Sequence, residues 1–210
     1  MKRIKDQPIW WNKAITHLNN CDNTMKNIIK LYPGEYLKYR GDPFLSLSRT
    51  IIGQQISVKA AASVWNSINK NVKNLSPQNT INYGVKNLKK CGTSERKAEY
   101  LVGIANYFLN TSNALKELQD LNDKEVVEEL CKLRGIGPWS AEMFLMFCLL
   151  RQDIFPLGDL GLRKAISINY FNKKDPSDTE ITNISSAWKP YRSAATWLLW
   201  KSIDPITIAY

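Results

Sequence analysis

Leu133-Arg134-Gly135-Ile136-Gly137-Pro138-Trp139-Ser140-Ala141 is the stretch that decides the fold. A segment with helical spacing, 122–132, leads into it, and an apolar run from Ala141 to Leu150 follows. Glycine at 135 and 137 opens backbone angles closed to other residues and leaves room for close approach. Pro138 suits the first turn of a helix, where its missing N–H is not needed. The stretch therefore reads as helix, tight glycine hairpin and second helix, with Leu133, Ile136 and Ala141 packing the two arms. Free amides at a helix N-terminus attract an anion such as phosphate. From the glycines alone, an ordinary turn between two packed helices is an equal reading.

Working outward, Phe155-Pro156-Leu157-Gly158-Asp159-Leu160-Gly161-Leu162-Arg163 delivers one carboxylate downstream of the hairpin. Upstream lies Ile51-Ile52-Gly53-Gln54-Gln55-Ile56-Ser57, and near the end Trp188-Lys189-Pro190-Tyr191-Arg192-Ser193. Lys and Arg number 29 against 19 Asp and Glu, a net charge of +10 that favours a polyanion. Charge alone fits solubility or an anionic membrane equally well. A hairpin able to grip phosphate, near a lone acid in a basic chain, points to chemistry on DNA.

The rest of the chain reads as helical, with period-two strand patterns scarce. Helices are expected over Pro8–Asn19 and Asn23–Tyr32, the latter closed by Pro33-Gly34. Another starts at Asp42-Pro43, with Asp42 as cap, and breaks at Gly53. Ser57 can cap the next. Further segments lie near 77–90, 94–110, 112–119 and 122–132, with Asn122 or Asp123 capping the last. After Asp159 come helices near 160–171 and 177–187, then a final one from Pro190 to about Ile203. Of the seven tryptophans, Trp65, Trp188 and Trp197 are read as core.

The four quoted motifs, in this order and spacing, resemble the helix-hairpin-helix DNA glycosylase superfamily, and within it the DNA-3-methyladenine glycosylase II family, over roughly residues 40 to 203. The resemblance implies an all-α, two-lobed fold with the active-site cleft between lobes. The central lobe would span about 44–158 and the second about 1–43 plus 159–210. About forty residues precede the matching region, so an N-terminal β-domain is not expected.

The resemblance also implies site residues. Asp159 matches the catalytic acid, which stabilises the oxocarbenium character of the sugar and handles the attacking water; it can also cap the helix starting at Leu160. Asp153 is nearby but matches no family acid. Relatives that cut the strand carry a Schiff-base lysine two residues after the second hairpin glycine. Trp139 stands there, so a monofunctional enzyme leaving an abasic site is expected. Trp139 and Trp200 match pocket aromatics, whose faces attract a cationic alkylated purine such as 3-methyladenine or 7-methylguanine. Met143 replaces a third aromatic. Gln54, Gln55 and Ile56 match the wedge loop that fills the gap left by the flipped base, with Gln55 at the inserting position; Gln54 and Gln55 can instead cap the neighbouring helices, an equal reading for Gln54. Gly135, Gly137 and Trp139 should present amides to a backbone phosphate. Carbonyls of Cys131, Leu133 and Ile136 match the seat of a structural Na+ or K+. Arg192 matches a position that touches DNA or orients Asp159.

Cofactors are otherwise not expected. Cysteines at 21, 91, 131 and 148 form no CxxC pair, and the last precedes Asp159, so the iron–sulfur cluster of some relatives is not expected. Cys148 reads as a buried small side chain. His17, the single histidine, lies outside every motif. Met1-Lys2-Arg3 is followed by polar sequence rather than a leader, and Ala141–Leu150 is too short to span a bilayer. The expected setting is the cytoplasm or nucleoid, or the nucleus in a eukaryote. Double-stranded damaged DNA is the expected partner of a monomer. Two alternatives stay open: a glycosylase for another base (hypoxanthine, uracil, ethenoadenine or oxidised guanine), and a non-catalytic DNA-binding module.

Overall fold

The computed structural model describes residues 7–111 and 113–204. Met1-Lys2-Arg3 and Ser112, the first residue of the segment expected at 112–119, lie outside them. The described residues hold twelve helices and no strand. In chain order these are α1 (Trp11–Cys21), α2 (Asn23–Leu31), α3 (Pro43–Gly53), α4 (Val58–Asn71), α5 (Pro77–Lys90) and α6 (Glu95–Asn110). They continue as α7 (Ala114–Asp120), α8 (Asp123–Cys131), α9 (Pro138–Phe147), α10 (Leu160–Tyr170), α11 (Asp178–Ser186) and α12 (Arg192–Ile203).

Local chemistry sets most of these ends. Asp42 accepts from the Leu45 amide at 2.9 Å with Pro43 in the first turn, as its sequence predicts. Ser57 caps α4. Asn122 and Glu125 form a capping box at α8, and Ser177 with Glu180 another at α11. Each such cap is worth about 1 kcal/mol. The structure departs from the sequence expectation at several places. Pro8–Trp10 is a turn, because the Trp11 amide bonds the Pro8 carbonyl, so α1 starts three residues later than Pro8. The Tyr191 amide turns back to the Trp188 carbonyl at 2.8 Å, so the last helix starts at Arg192, not Pro190. Gly84, at φ 74° and ψ 163°, breaks α5 into two short pieces.

The chain forms two compact units. Among the described residues, one takes 7–39 together with 150–204; the other is Arg40–Leu149. The connection after Leu150, grouped with the central segment on sequence, is bonded into the first unit. The Trp10 indole donates to the Leu150 carbonyl at 2.7 Å. The wholly buried Ser193 donates to the Arg151 carbonyl at 2.7 Å and accepts from the Ile154 amide at 2.9 Å.

Within the first unit, α12 packs against α1, α2 and α10. Its core includes Trp11, Leu18, Met25, Ile166, Trp188 and Leu198. Asp22 organises the interior. Its Oδ1 caps α2 through the Met25 amide at 3.0 Å, and its Oδ2 accepts from Trp188 Nε1 and the Tyr170 hydroxyl, both at 2.8 Å. Burial and the Asp22 charge push the Tyr170 phenol far above its ordinary range. His17, half-buried, places Nε2 2.9 Å from the Ala187 carbonyl.

In the second unit α3 is central, packed by α4, α6 and α9, while α5 lies on α6 and α8 on α9. Phe44, Leu47, Ile51, Ile104, Leu130 and Phe144 fill the core. Cys148 is buried, as its sequence predicts, and burial pushes its thiol up to about 12. Trp65, expected in the core, is half-buried with the Arg49 guanidinium 4.5 Å above its ring. No helix among the described residues is long and apolar enough to cross a membrane.

Asp22→Ala leaves three donors without their acceptor, one on the wholly buried Trp188 ring and one on the half-buried Tyr170 ring. Urea denaturation should show a loss on the order of 3 kcal/mol. Asp22→Asn, which keeps one acceptor oxygen, should lose less; a change below about 1 kcal/mol in the alanine variant would refute this role for Asp22.

Candidate active site and nucleic-acid interface

Asp159 stands at the start of α10, after a turn closed by its own amide on the Pro156 carbonyl at 2.8 Å. Its Oδ1 accepts from the Leu162 amide at 2.6 Å, which caps the helix, and from Trp200 Nε1 at 2.8 Å. The helix N-terminus favours the negative charge. Two donors converging on one oxygen fix the plane of a half-exposed carboxylate. Capping and catalysis are thus compatible geometrically, since one side chain can serve the helix and still border solvent. Trp200 is 4% exposed, so most of its indole is core and its N–H is an anchor for Asp159.

Gly161 makes this arrangement possible. A Cβ there would lie 3.2 Å from Asp159 Oδ1 and 3.5 Å from Trp200 Cδ1 and Nε1. Leu160, between the two, is 82% exposed.

The hairpin between α8 and α9 has the predicted form. Gly135 adopts φ +91°, and the Ile136 amide bonds the Leu133 carbonyl at 3.0 Å. A Cβ on Gly135 would sit 2.2 Å from Tyr100 Cδ2, so both the backbone angle and the packed ring demand glycine. Gly137 precedes α9 with ordinary extended backbone and no side-chain cap. Gly137 itself offers no side-chain cap to α9, Pro138 has no N–H, and the Trp139 and Ser140 amides begin the helix.

The predicted wedge loop follows α3. Gln54 spans two elements: its Nε2 donates to the Gly135 carbonyl at 2.9 Å and to Ser140 Oγ at 3.1 Å. Gln54 is thus a strut between loop and hairpin, leaving Gln55 and Ile56 as the exposed residues. Gln55 lies at φ +57°, a conformation that costs a non-glycine residue about 1–2 kcal/mol. The Lys97 ammonium donates to the carbonyls of Ile52 at 2.8 Å and Gln54 at 2.7 Å. Burial holds it below the usual lysine range.

The other predicted residues divide. Trp139 is half-buried at the start of α9, whereas Met143 is 1% exposed within the same helix. Arg192 is committed to Asp153, not Asp159: Nε donates to Oδ1 at 2.7 Å and an Nη to Oδ2 at 2.8 Å. This bidentate pair ties the start of α12 to the segment leading into Asp159, so any orienting influence of Arg192 is indirect. Cys131, Leu133 and Ile136 all lie at the hairpin.

Comparison with known proteins settles the family. The pattern of the HhH-GPD superfamily of base excision DNA repair proteins matches residues 48–190. The chain belongs to this superfamily. It is 32% identical to DNA-3-methyladenine glycosylase 1 of Schizosaccharomyces pombe, across 90% of this chain and 86% of that protein. It is 31% identical to the DNA-3-methyladenine glycosylase of Saccharomyces cerevisiae, across 91% of this chain and 79% of that one. Among solved structures it matches the 3-methyladenine DNA glycosylase of Schizosaccharomyces pombe in complex with abasic DNA. That match has a TM-score of 0.79 and 30% identity, covering 94% of this chain and 98% of the other.

The all-α HhH-GPD fold read from four motifs thus holds, and the chain is a DNA-binding protein close to 3-methyladenine glycosylases. Three residues that contact the candidate site residues carry no assigned role in the sequence analysis: Gly161, Tyr100 and Lys97. Gly161 left a signal. A glycine in the first turn of a helix, where no unusual angle is needed, marks close approach by a neighbour. Tyr100 and Lys97 left none, because their partners lie far away in sequence.

Gly161→Ala should separate stability from activity. Alanine favours the helix by up to about 1 kcal/mol, so thermal melting should be unchanged or raised. The added methyl displaces the carboxylate or indole by tenths of an ångström, and single-turnover base release should fall about tenfold. Undiminished release would show that the Asp159–Trp200 geometry is not critical.

Proposed function

We propose that this protein excises alkylated purines, 3-methyladenine and 7-methylguanine among them, from double-stranded DNA by hydrolysing the N-glycosidic bond, as a monomer and without strand cleavage. The observation that carries this reading is the Asp159 carboxylate, fixed at a helix start by the Trp200 indole, in an HhH-GPD chain. The names of the relatives support the substrate class.

The reaction follows from the residues. As the bond between base and C1′ breaks, its electron pair leaves with the base, and a base that was cationic departs neutral. Positive charge develops on the sugar, where a fixed carboxylate stabilises it without reorganising. Water adds its oxygen to C1′ and gives up a proton, which Asp159 can accept. No amine intercepts the sugar, because Trp139 occupies the position where a Schiff-base lysine would stand. The product is an abasic site in an intact strand.

Trp139 contacts the extruded base, its indole face attracting a delocalised cation by about 1–2 kcal/mol. The amides opening α9 hold a lesion-strand phosphate, helped by the helix dipole. Gln55 fills the vacated space in the duplex; its amide can also hydrogen-bond the orphaned partner base. No cofactor is required. The carbonyls of Cys131, Leu133 and Ile136 are oxygen donors of the kind an alkali cation takes. Leu133 already accepts the Ile136 amide, which leaves it one further lone pair for Na+ or K+.

Asp159→Asn tests the reading cleanly, because the amide oxygen can still accept from Leu162 and Trp200. Base release from methylated duplex, identified by mass, should fall at least about 100-fold while affinity for abasic duplex stays within about threefold. The wild-type product should remain unnicked until alkali is added. Retained release in the variant would refute the assignment of Asp159. Release of a different base by the wild type would move the substrate, and binding without any release would favour the non-catalytic module.

A further inference from the structure

The loop carrying Gln55 has little packing to define its shape. Residues 55–60 are exposed, and a concavity of about 360 Å³ opens beside the loop, lined in part by Ile52, Gln54, Gln55 and Lys97. Yet Gln55 holds a left-handed conformation that a side chain rarely adopts, and such a conformation persists only where the surroundings over-determine it.

From α6, Lys97 reaches the carbonyls of Ile52 and Gln54 at the C-terminal end of α3, where the helix dipole favours a cation. Its ammonium is half-buried, and no carboxylate pairs with it among the described residues. A lysine desolvated without a counter-charge, spending two donors on adjacent backbone, is costly as a mere surface contact. Three residues on, along the same helix face, Tyr100 lies against Gly135 of the hairpin. The Gln54 side chain closes the circuit by bonding Gly135 and Ser140.

We propose that Lys97 is a positioning residue: by holding the two carbonyls that precede Gln55, it fixes the backbone from which that side chain enters the duplex, in register with the phosphate-gripping hairpin. The proposal rests on the wedge role given to Gln55 above.

The test uses a duplex with an abasic-site analogue opposite 2-aminopurine, whose fluorescence rises on unstacking, measured with protein at saturation. This readout needs no lesion to be cleaved. Wild type should raise the emission; Gln55→Ala and Lys97→Met should each lower the rise about threefold, and Lys97→Arg should restore much of it. A second arm compares base release from a paired lesion with release from the same lesion in single-stranded DNA, where extrusion costs least. Lys97→Met should slow the paired substrate about tenfold more than the single strand. Equal losses on both substrates, or a full fluorescence rise in Lys97→Met, would overturn the proposal. If Lys97→Met does not melt cooperatively, Lys97→Gln carries the same comparison with a shorter polar head. A normal fluorescence rise in Gln55→Ala would instead refute the wedge reading itself, and absence of any base release by wild type would refute the enzymatic reading while leaving the fluorescence arm decisive.

Discussion

The close approach of the Tyr100 ring to the α-carbon of Gly135 is the constraint on which the arrangement of the second unit's hairpin and Gln55 loop hangs. With a gap too small for a methyl group, the hairpin must be glycine, must turn at φ +91°, and must lie on α6. Its carbonyl is then placed to accept from Gln54, and the same face of α6 presents Lys97 to the end of α3. One helix face thereby holds two loops that are distant in sequence. Neither loop could be positioned so well by its own residues, since one is glycine-rich and the other is exposed.

The first unit solves a different problem with similar economy. In the proposed reaction its carboxylate has to be fixed at a helix start and still open to a reacting sugar. Placing Asp159 at the start of α10 fixes it, because its Oδ1 accepts the cap hydrogen bond from the Leu162 amide. The Trp200 indole adds a second donor from a buried ring, and Gly161 keeps the space they share clear. The Arg192–Asp153 pair and buried Ser193 anchor the segment that leads to the carboxylate. Rigidity around the acid is therefore supplied by ordinary folding contacts, the kind of support a preorganised electrostatic site needs.

Asp22 shows how the same unit tolerates polar groups inside. Trp188 is wholly buried, yet its N–H and the Tyr170 hydroxyl are both satisfied by one carboxylate that also caps α2. Each donor would be costly if left alone; together they make a polar knot that fixes α2 against the chain's C-terminal half.

The sequence by itself determined the helices and the motif-bearing residues, because caps, glycines and prolines act over three or four neighbours. Asp42-Pro43, Asn122 with Glu125, Gly135, Pro138 and Asp159 all perform locally the roles their types and spacing predict. The family, too, was legible, since four ordered motifs carry more information than any one. Tertiary structure alone decided who meets whom. Nothing near Arg192 says that its guanidinium belongs to Asp153 rather than Asp159, and nothing near Lys97 points to carbonyls more than forty positions away. Gln54 and Gln55 look alike in the chain, but one is tied to the hairpin and the other is left exposed in a left-handed turn. Hydrogen bonds between distant segments are set by how helices pack, and packing depends on the whole core rather than on any stretch that can be read alone.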